Sequence, residues 1–282
     1  MVLEALINPI TAEKTPYKML LLGILYSTVG IFLSIWIFKD QASLIMVFLT
    51  VMAVLPLVYS TFKLEEYKDA HESGEMHLLK EHSKALTLLI FLFIGFVISF
   101  SAWYVFFPAE LSSIVFKTQS QTITSINNKI LGNAVQFDTL LKIFFNNLRV
   151  LIFCFLFSLV YGMGAIFILT WNASVIGAAI GNFIESALSS YTQKFGALTT
   201  ATYFSAISLS IVRYFTHGIP EMASYFIAGI AGGLFSIAII KKHYLTAKFP
   251  QIMFDVSGLV TISILLLGVA AAIEVYVTPL FF

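Results

Sequence analysis

The sequence predicts an all-α integral membrane protein, a polytopic helical bundle with six or seven transmembrane helices. Hydrophobic residues make up 59% of the 282 residues and charged residues 11%, and the mean hydropathy is +0.92. A helix that crosses a bilayer needs about 20 consecutive, mostly apolar residues, and seven stretches of the chain meet that requirement. This composition excludes a soluble globular domain and predicts a multi-pass protein of the cell membrane, surrounded by membrane lipid.

The seven predicted spans differ in how apolar they are. The first begins near Lys18 and lacks the small-residue cleavage pattern of a secretory signal, so we expect it to be retained. The fifth is the most polar, because it carries seven serine and threonine residues. The predicted spans are residues 18–38, 42–62, 85–107, 148–171, 199–216, 220–240 and 256–278.

The connection between the second and third spans, residues 62–84, is dense in Glu and Lys. Both residue types favour helix, so we expect the two spans to extend into the cytosol as a charged helical hairpin. His71, His77 and His82 also lie here, but their spacing does not stack three imidazoles on one helical face. A solvated stalk is therefore preferred to a metal site.

Two further segments stand out between the spans. Residues 108–145 are polar, and connections of that length without structure of their own are uncommon and often functional. We expect there either an amphipathic helix on the outer leaflet or a docking surface for an extracytoplasmic partner. Residues 173–184 are apolar but too short to span, so they form either a re-entrant helix or a continuation of the fourth helix into the cytosol.

The distribution of lysine and arginine predicts a cytoplasmic amino terminus and an extracytoplasmic carboxy terminus, since these residues are retained on the cytoplasmic side. With that orientation the outer connections hold only Lys39, Lys117, Lys129 and Lys142. The inner side holds the larger group, which comprises Lys14, Lys18, Lys63, Lys68, Lys80, Lys84, Lys194, Lys241, Lys242 and Lys248.

Polar and ionisable residues concentrate at the outer ends of the last four predicted spans, where such side chains usually face a bundle interior, a cavity or a partner. Pro220 suits the first turn of a helix, so we expect the sixth span to start there, with Glu221 in its first turn and His217 at the junction after the preceding helix, which Gly218 ends. The predicted functional cluster comprises Asn146, Asn147, Arg149, Arg213, His217, Glu221 and Glu274.

Three interpretations of this cluster stay open. In the first, Glu221 caps a helix and pairs with Arg149 or Arg213 to hold the bundle together. In the second, the cluster passes a proton, an ion or a small solute. The third is intramembrane metal or hydrolytic chemistry at His217 and Glu221, which the sequence supports least, since zinc catalysis usually needs three protein ligands. We expect no catalytic residue, no metal and no cofactor.

The charge, cysteine and glycine content restricts the classes of partner that the chain is expected to bind. The formal charge of +1 provides no basic surface for nucleic acid, and the single Cys154 allows no intrachain disulfide and no cysteine-based metal site. Small residues four apart let helix backbones approach closely. We expect these pairs to serve packing within the chain, while a homodimer stays open; they are Gly177 with Gly181, Gly229 with Gly233, and Ala228 with Gly232.

An Asn pair that leads a span, Asn146 and Asn147, is followed in order by Gly162 and Gly164, by Asn172 with Gly177, and by His217, Gly218 and Glu221 with Gly229 and Gly233. This ordered set resembles the stage II sporulation protein M family over roughly residues 140–245. The chain departs from the family pattern at Ala173, where members usually have Gly, and at Thr216, where they have Pro before the His. We therefore divide the chain into an amino-terminal three-helix membrane region, residues 1–139, and a family-like core, residues 140–282. The positions carried over from the family motif, without a catalytic role, are Asn146, Asn147, Asn172, Gly177, His217, Gly218 and Glu221.

The resemblance implies a function without catalysis. The family's best-described role is that of a membrane scaffold that recruits cell-wall-degrading partners during engulfment of a forespore, and members also occur in organisms that do not sporulate. We accordingly expect a scaffold or assembly factor that organises membrane or extracytoplasmic proteins. A transporter or channel for an ion or small solute is the alternative.

Overall fold

The described chain is built from helices. The computed structural model of the protein describes residues 15–71, 75–130, 136–161, 165–240, 242–246 and 249–280, and these contain no strand, which confirms the all-α prediction. The α-helices of the described ranges are α1 Tyr17–Phe38, α2 Ala42–His71, α3 Glu75–Phe106, α4 Ala109–Val115, α5 Lys117–Ile130, α6 Gln136–Tyr161, α7 Ala165–Phe195, α8 Thr200–Ile240 and α9 Phe249–Ala272.

Six helical stretches of the described chain are long and apolar enough to cross a membrane. The first of them contains α1 and α2, which separate where Phe38 leaves helical geometry (φ −136°, ψ 48°). The two helices then pack against each other, with Gly30 of α1 against Met46 and Thr50 of α2. The stretches are Tyr17–Thr61, Ser83–Phe106, Phe137–Leu159, Ala165–Phe195, Thr200–Ile240 and Phe249–Leu280.

Helices α1 and α3 approach each other backbone to backbone. A Cβ atom on Gly23 would collide with the carbonyl oxygen of Leu92, and one on Gly95 would collide with that of Leu20. Only glycine permits this spacing. Above this contact, Trp103 Nε1 donates to Thr28 Oγ1 at 3.1 Å, so the two helices are held by both close packing and a polar contact.

Helix α7 packs on the other side of α3 and runs parallel to it. Gly177 lies against Phe100, and Gly181, one turn on, lies against Tyr104, also one turn on. These contacts confirm that this glycine pair serves packing within the chain. They also place the end of α7 at the end of the bundle where α3 stops and α4 begins, which we call the α4 end. The grouping of Lys194 with the lysines of the opposite end was therefore wrong.

The predicted fourth span, residues 148–171, is wrong. Helix α6 ends at Tyr161 and a separate helix, α7, begins at Ala165. Residues 173–184 lie in the middle of α7, so they are neither re-entrant nor a continuation of the preceding helix. Hydropathy reports composition and not chain direction, and the sequence stays apolar from the end of α6 to the start of α7. Gly162 and Gly164 of the family motif lie outside the described residues.

The predicted fifth and sixth spans are one helix. Helix α8 is 41 residues long and contains Pro220 in its interior. A proline removes one intrahelical hydrogen bond, and transmembrane helices tolerate this because neighbouring groups compensate. Neither Gly218 nor Pro220 marks a helix end. At ~1.5 Å per residue α8 is about 60 Å long, roughly twice the ~30 Å hydrocarbon core.

The turn between α7 and α8 is tightly defined. Helix α7 ends at Phe195, and it is followed by Gly196, whose φ of +76° suits glycine and whose amide donates to Thr192 O at 2.8 Å. Thr199 Oγ1 then accepts the amide of Thr202 at 3.3 Å, and Thr202 Oγ1 accepts the amide of Thr199 at 3.4 Å. This reciprocal cap resembles a capping box.

The ends of α7 and α8 extend past the rest of the bundle. Gly181 already lies beside Tyr104, two residues before α3 ends. Residues 184–212 therefore continue beyond α3 as a helix pair, which we call the projecting hairpin.

The polar segment predicted to form a helix or a docking surface is folded against the bundle. It contains α4 and α5, and Phe116 between them is fully buried. Gln119 of α5 is also fully buried, and its Nε2 donates to Ser43 O at 2.9 Å and to Ser174 Oγ at 3.1 Å. The helix expected in this segment is present as α5, and the hydrogen bonds of Gln119 connect it to α2 and α7.

The backbone of the charged hairpin agrees with expectation, since α2 extends to His71 and α3 starts at Glu75. The side chains of residues 65–82, including the three histidines, lie outside the described part of the structure.

Candidate functional site

Helices α8 and α9 are antiparallel, and their facing residues form successive polar pairs. Thr278 Oγ1 lies 3.3 Å from His217 Nδ1. One turn further along both helices, Glu221 and Glu274 occupy facing positions, and their carboxylates interact electrostatically. We call these four residues together with Tyr225 the α8–α9 site.

Glu274 lies in a short π-helical segment, Ile273–Val277, that follows α9. One-turn π segments inside helices occur frequently at functional sites. The extra residue in such a turn changes which side chains face α8, so the π segment helps set the register that brings Glu274 opposite Glu221. The side chains of His217, Glu221 and Glu274 are each half-buried.

Tyr225 orients the carboxylate of Glu221. Its hydroxyl donates to Glu221 Oε1 at 3.0 Å, and the side chain is only 1% exposed. By the antiparallel register, the small, buried residues Ala270 and Ala271 lie at the height of Tyr225 on α9. A buried carboxylate that accepts this bond is held in one orientation.

Asn147 approaches the site from α6. Ser236 Oγ of α8 donates to Leu159 O at 2.7 Å, and Gly232 lies against Phe155 O with the same sequence offset, so α6 and α8 run parallel here. That offset carries Asn147 to within about one turn of the height of the α8 carboxylate. Asn147 is 9% exposed and shares its buried stripe with Leu151, Cys154 and Ser158.

The remaining members of the predicted cluster lie elsewhere. Asn146 is exposed and its Nδ2 reaches Asn147 Oδ1 at 3.5 Å. Arg149 is exposed on the face of α6 that points away from α8. The helix register thus places Asn147 near the height of the two glutamates, Asn146 contacts Asn147 alone among these residues, and Arg149 is directed away from α8.

Arg213 lies at the edge of the site and faces α7. Its guanidinium carbon is 5.3 Å from the ring centroid of Phe183 and 5.9 Å from that of Tyr214, distances at which a cation and a ring attract each other. It also interacts electrostatically with His217, one turn along α8. The guanidinium of Arg213 and the imidazole of His217 therefore lie between the carboxylates and the α4 end of the bundle.

The expected role of Glu221 as a helix cap was wrong. It lies in the interior of α8, about six turns from Thr200, so the helix dipole does not account for its position. His217 is likewise an interior residue and not a junction between helices. Sequence patterns could not show this, because Gly218 and Pro220 are typical of helix boundaries.

The other family positions differ in their surroundings. Gly177 is the close contact with α3. Asn172 has a buried Nδ2 atom without a hydrogen-bond partner among the described residues. Gly218 is buried, yet a Cβ built on it would meet nothing within 4 Å.

Sequence reasoning missed Tyr225 and Thr278. Tyr225 could have been found, because it follows Glu221 by four residues and therefore shares its helical face. Thr278 becomes identifiable only when the register of α9 against α8 is known. Within the described residues no group of three or more His, Cys, Asp or Glu side chains is placed to hold a metal ion.

These features define a class, that of polytopic helical membrane proteins with a polar site between two spans. The sequence profile of the stage II sporulation protein M family matches residues 87–279, which is more than half of the chain. The protein belongs to this family. The match extends beyond residues 140–245, where the motifs lie, and includes Glu274 and Thr278 as well as most of α3. No curated protein and no solved structure matches the chain.

Proposed function

We propose that this family member binds and passes a proton or a small monovalent cation at the α8–α9 site. The observation that supports this is the register set by the contact between His217 and Thr278, which places a second carboxylate, Glu274, at the height of Glu221 one turn further along both helices. Arg149 points away from the site and Arg213 lies over aromatic rings. Two carboxylates in a membrane-embedded bundle require a compensating positive charge or proton, because an uncompensated buried charge is costly.

The neighbouring groups suit such a role. Tyr225 holds one oxygen of Glu221 by hydrogen bonding, which orients the carboxylate toward its partner. His217 and Thr278 form the next pair in the direction of the α4 end. A neutral imidazole has one donor and one acceptor nitrogen, so this pair can pass a proton between the carboxylates and the α4 end. In this scheme the site has a binding step at the carboxylates and a relay at the histidine.

The test is flux through purified protein in liposomes that contain a pH-sensitive dye, under an imposed potential and with either K⁺ or Na⁺ present. We expect Glu221→Gln and Glu274→Gln each to reduce flux about tenfold or more, since a hydrogen bond to a charged group contributes roughly 1.5–3 kcal/mol. Glu185→Gln is the matched control, because Glu185 is an exposed glutamate of α7 outside the site. Equal flux in all four proteins, or flux no greater than in empty liposomes, would exclude the proposal.

A scaffold function is the second candidate, and the projecting hairpin supports it. The hairpin exposes large apolar side chains beyond the end of α3, and exposed apolar patches larger than a few hundred Å² mark interaction sites. Phe195 is 67% exposed and Phe204 74% exposed, and smaller exposed contributions come from Tyr203, Ile207, Ile211 and Val212.

Purification from native membranes, with mass spectrometry of stoichiometric companions, tests the scaffold. We expect a membrane or extracytoplasmic protein to copurify with the wild type and not with the Phe204→Ser variant. The control is Phe254→Ser on α9, where the phenylalanine is 64% exposed, and we expect this variant to retain the partner. Point variants are preferable to deletion of residues 118–134, because that deletion also removes the buried Gln119 that anchors α5. Recovery of the wild type alone would leave the scaffold without support, and the same preparation reports whether the chain is a homodimer.

A further inference from the structure

The two helices of the projecting hairpin differ in the surface that they expose. On α7 the exposed side chains are mainly polar, and they include Glu185, Ser189, Gln193 and Lys194. On α8 the stretch of residues 200–212 contains no charged residue, and it exposes several large apolar side chains. The apolar surface of the hairpin is therefore concentrated on α8.

Three of these apolar side chains form a stripe along one face of α8. Phe204, Ile207 and Ile211 follow one another at intervals of three and four residues, which is the spacing of the core positions of a coiled coil. They are 74%, 44% and 47% exposed. The buried positions of the same stretch lie on another face and are Thr202, Ala206 and Ser210. The stripe, which we call the seam, is thus left uncovered by the described part of the chain.

Insertion in a membrane restricts how two such hairpins can meet. Two copies of the chain that are inserted in the same orientation carry the seam at the same height and in the same direction. A rotation about an axis normal to the membrane then places seam against seam, with each residue opposite its own counterpart, as in an isologous two-fold contact. Because residues 200–212 carry no charge, no like charges would face each other there.

The size of the seam also favours a partner in the same membrane. A stable contact between soluble proteins buries about 800 Å² on each partner. A fully buried aromatic side chain contributes roughly 150–250 Å², so three partly exposed side chains supply less than a soluble complex needs. Two chains confined to one bilayer meet at a high effective concentration, so a smaller contact is sufficient for them.

We propose that the seam binds the seam of a second copy of this chain, in a parallel two-fold contact between two projecting hairpins. The two α8 helices would lie side by side, about 8–10 Å apart, with a copy of α7 on each outer side. The result is a four-helix bundle beyond the end of α3. The proposal rests on neither proposed function, since it uses no residue of the α8–α9 site and requires no other protein.

The contact is tested by disulfide crosslinking in the membranes of cells that express the full-length protein. Single cysteines are introduced as Phe204→Cys, Ile207→Cys or Ile211→Cys in a Cys154→Ser background. A disulfide forms when two Cβ atoms lie about 3.5–4.5 Å apart, and the two-fold contact brings each seam residue close to its own counterpart. We therefore expect a covalent dimer of the chain from each of the three variants after oxidation.

Two neighbouring positions provide matched controls. Leu209 and Val212 are 44% and 45% exposed, as much as Ile207 and Ile211, but they lie on another face of α8. Leu209→Cys and Val212→Cys should therefore give little or no covalent dimer. This comparison separates a contact through the seam from random collision in the membrane, which would link all five positions alike.

Charge complementation distinguishes a second copy from a different protein. Two copies with different tags are coexpressed, both with Phe204→Cys as the reporter. Ile207→Lys in both copies should abolish the covalent dimer, because two lysines would face each other, and Ile207→Glu in both copies should do the same. A lysine copy paired with a glutamate copy should restore the dimer, and restoration also shows that both variants fold. Val212→Lys in both copies should leave the dimer unchanged.

Two outcomes would overturn the proposal. One is equal crosslinking at the seam and control positions, or no crosslinking at the seam. The other is loss of the dimer in both charged variants without restoration in the mixed pair. A different protein that is held at the seam, with no link between tagged copies, would give the first of these outcomes and would be the occupant instead.

Discussion

The α1–α3–α7 side of the bundle and the α8–α9 side are packed in different ways. On the first side glycines bring backbones into contact, as at Gly23, Gly95 and Gly177. On the second side, polar side chains, among them His217, Glu221 and Thr278, occupy the interface between α8 and α9. Close backbone contact leaves no space for polar side chains, whereas a looser interface accommodates two carboxylates, a phenol and an imidazole.

This difference predicts opposite responses to the same substitution. Gly95→Ala adds a methyl group that meets the carbonyl oxygen of Leu20, and overpacking of this kind costs about 3 kcal/mol of unfolding free energy. We expect a large fall in the thermal unfolding temperature in detergent. Gly258→Ala, which meets no neighbouring atom, is the matched control. Equal stability of the two variants would show that α1 and α3 can separate without loss, and the comparison would fail.

Tyr225→Phe tests the polar side of the comparison with a smaller expected effect. The variant keeps the ring and removes the donor to Glu221, so we expect a loss of about 1 to 2 kcal/mol in unfolding free energy. If the α8–α9 site passes a proton or cation, the flux per folded protein should also fall, beyond any loss caused by a smaller folded fraction. The two quantities are measured in the same preparation, and Tyr203→Phe, an exposed tyrosine of α8, is the control.

Gly258→Ala should have the smallest effect and the opposite sign. Its position is exposed on α9 and open to a methyl group, and alanine has the higher helix propensity by about 1 kcal/mol. We expect the unfolding temperature to stay the same or rise slightly. A clear fall in stability would reveal a partner surface on α9, since a neighbouring molecule would then have to occupy that space.

The direction of α7 also has a testable consequence. Since α7 runs parallel to α3, and α8 returns antiparallel to it, Lys194 and Lys242 should lie on opposite sides of the membrane. Single cysteines at these positions in a Cys154→Ser background, labelled with an impermeant reagent from one side, report the arrangement. Labelling of both from the same side would contradict the helix order of the core, whatever the orientation of the whole protein.

Composition and hydropathy alone determined the fold class and most of the apolar helices, because the cost of placing polar groups in lipid leaves little freedom in sequence. The same cost made the ionisable residues of the last spans identifiable as a group. Glycine spacing predicted close packing, and Gly177 and Gly181 take part in it.

The tertiary structure alone decided which helix ends where and which polar residues meet. The residue pattern from Gly218 to Pro220 is typical of a boundary, yet packing on α3, α6, α7 and α9 holds α8 as one helix. The pairing of Glu221 with Glu274 depends on the register of two helices and on a π segment near the end of the chain. The register of two helices is set by many weak contacts spread over both of them, so no local sequence pattern predicts it. The sequence predicted the depth of these residues in the membrane, but not the direction in which each side chain points.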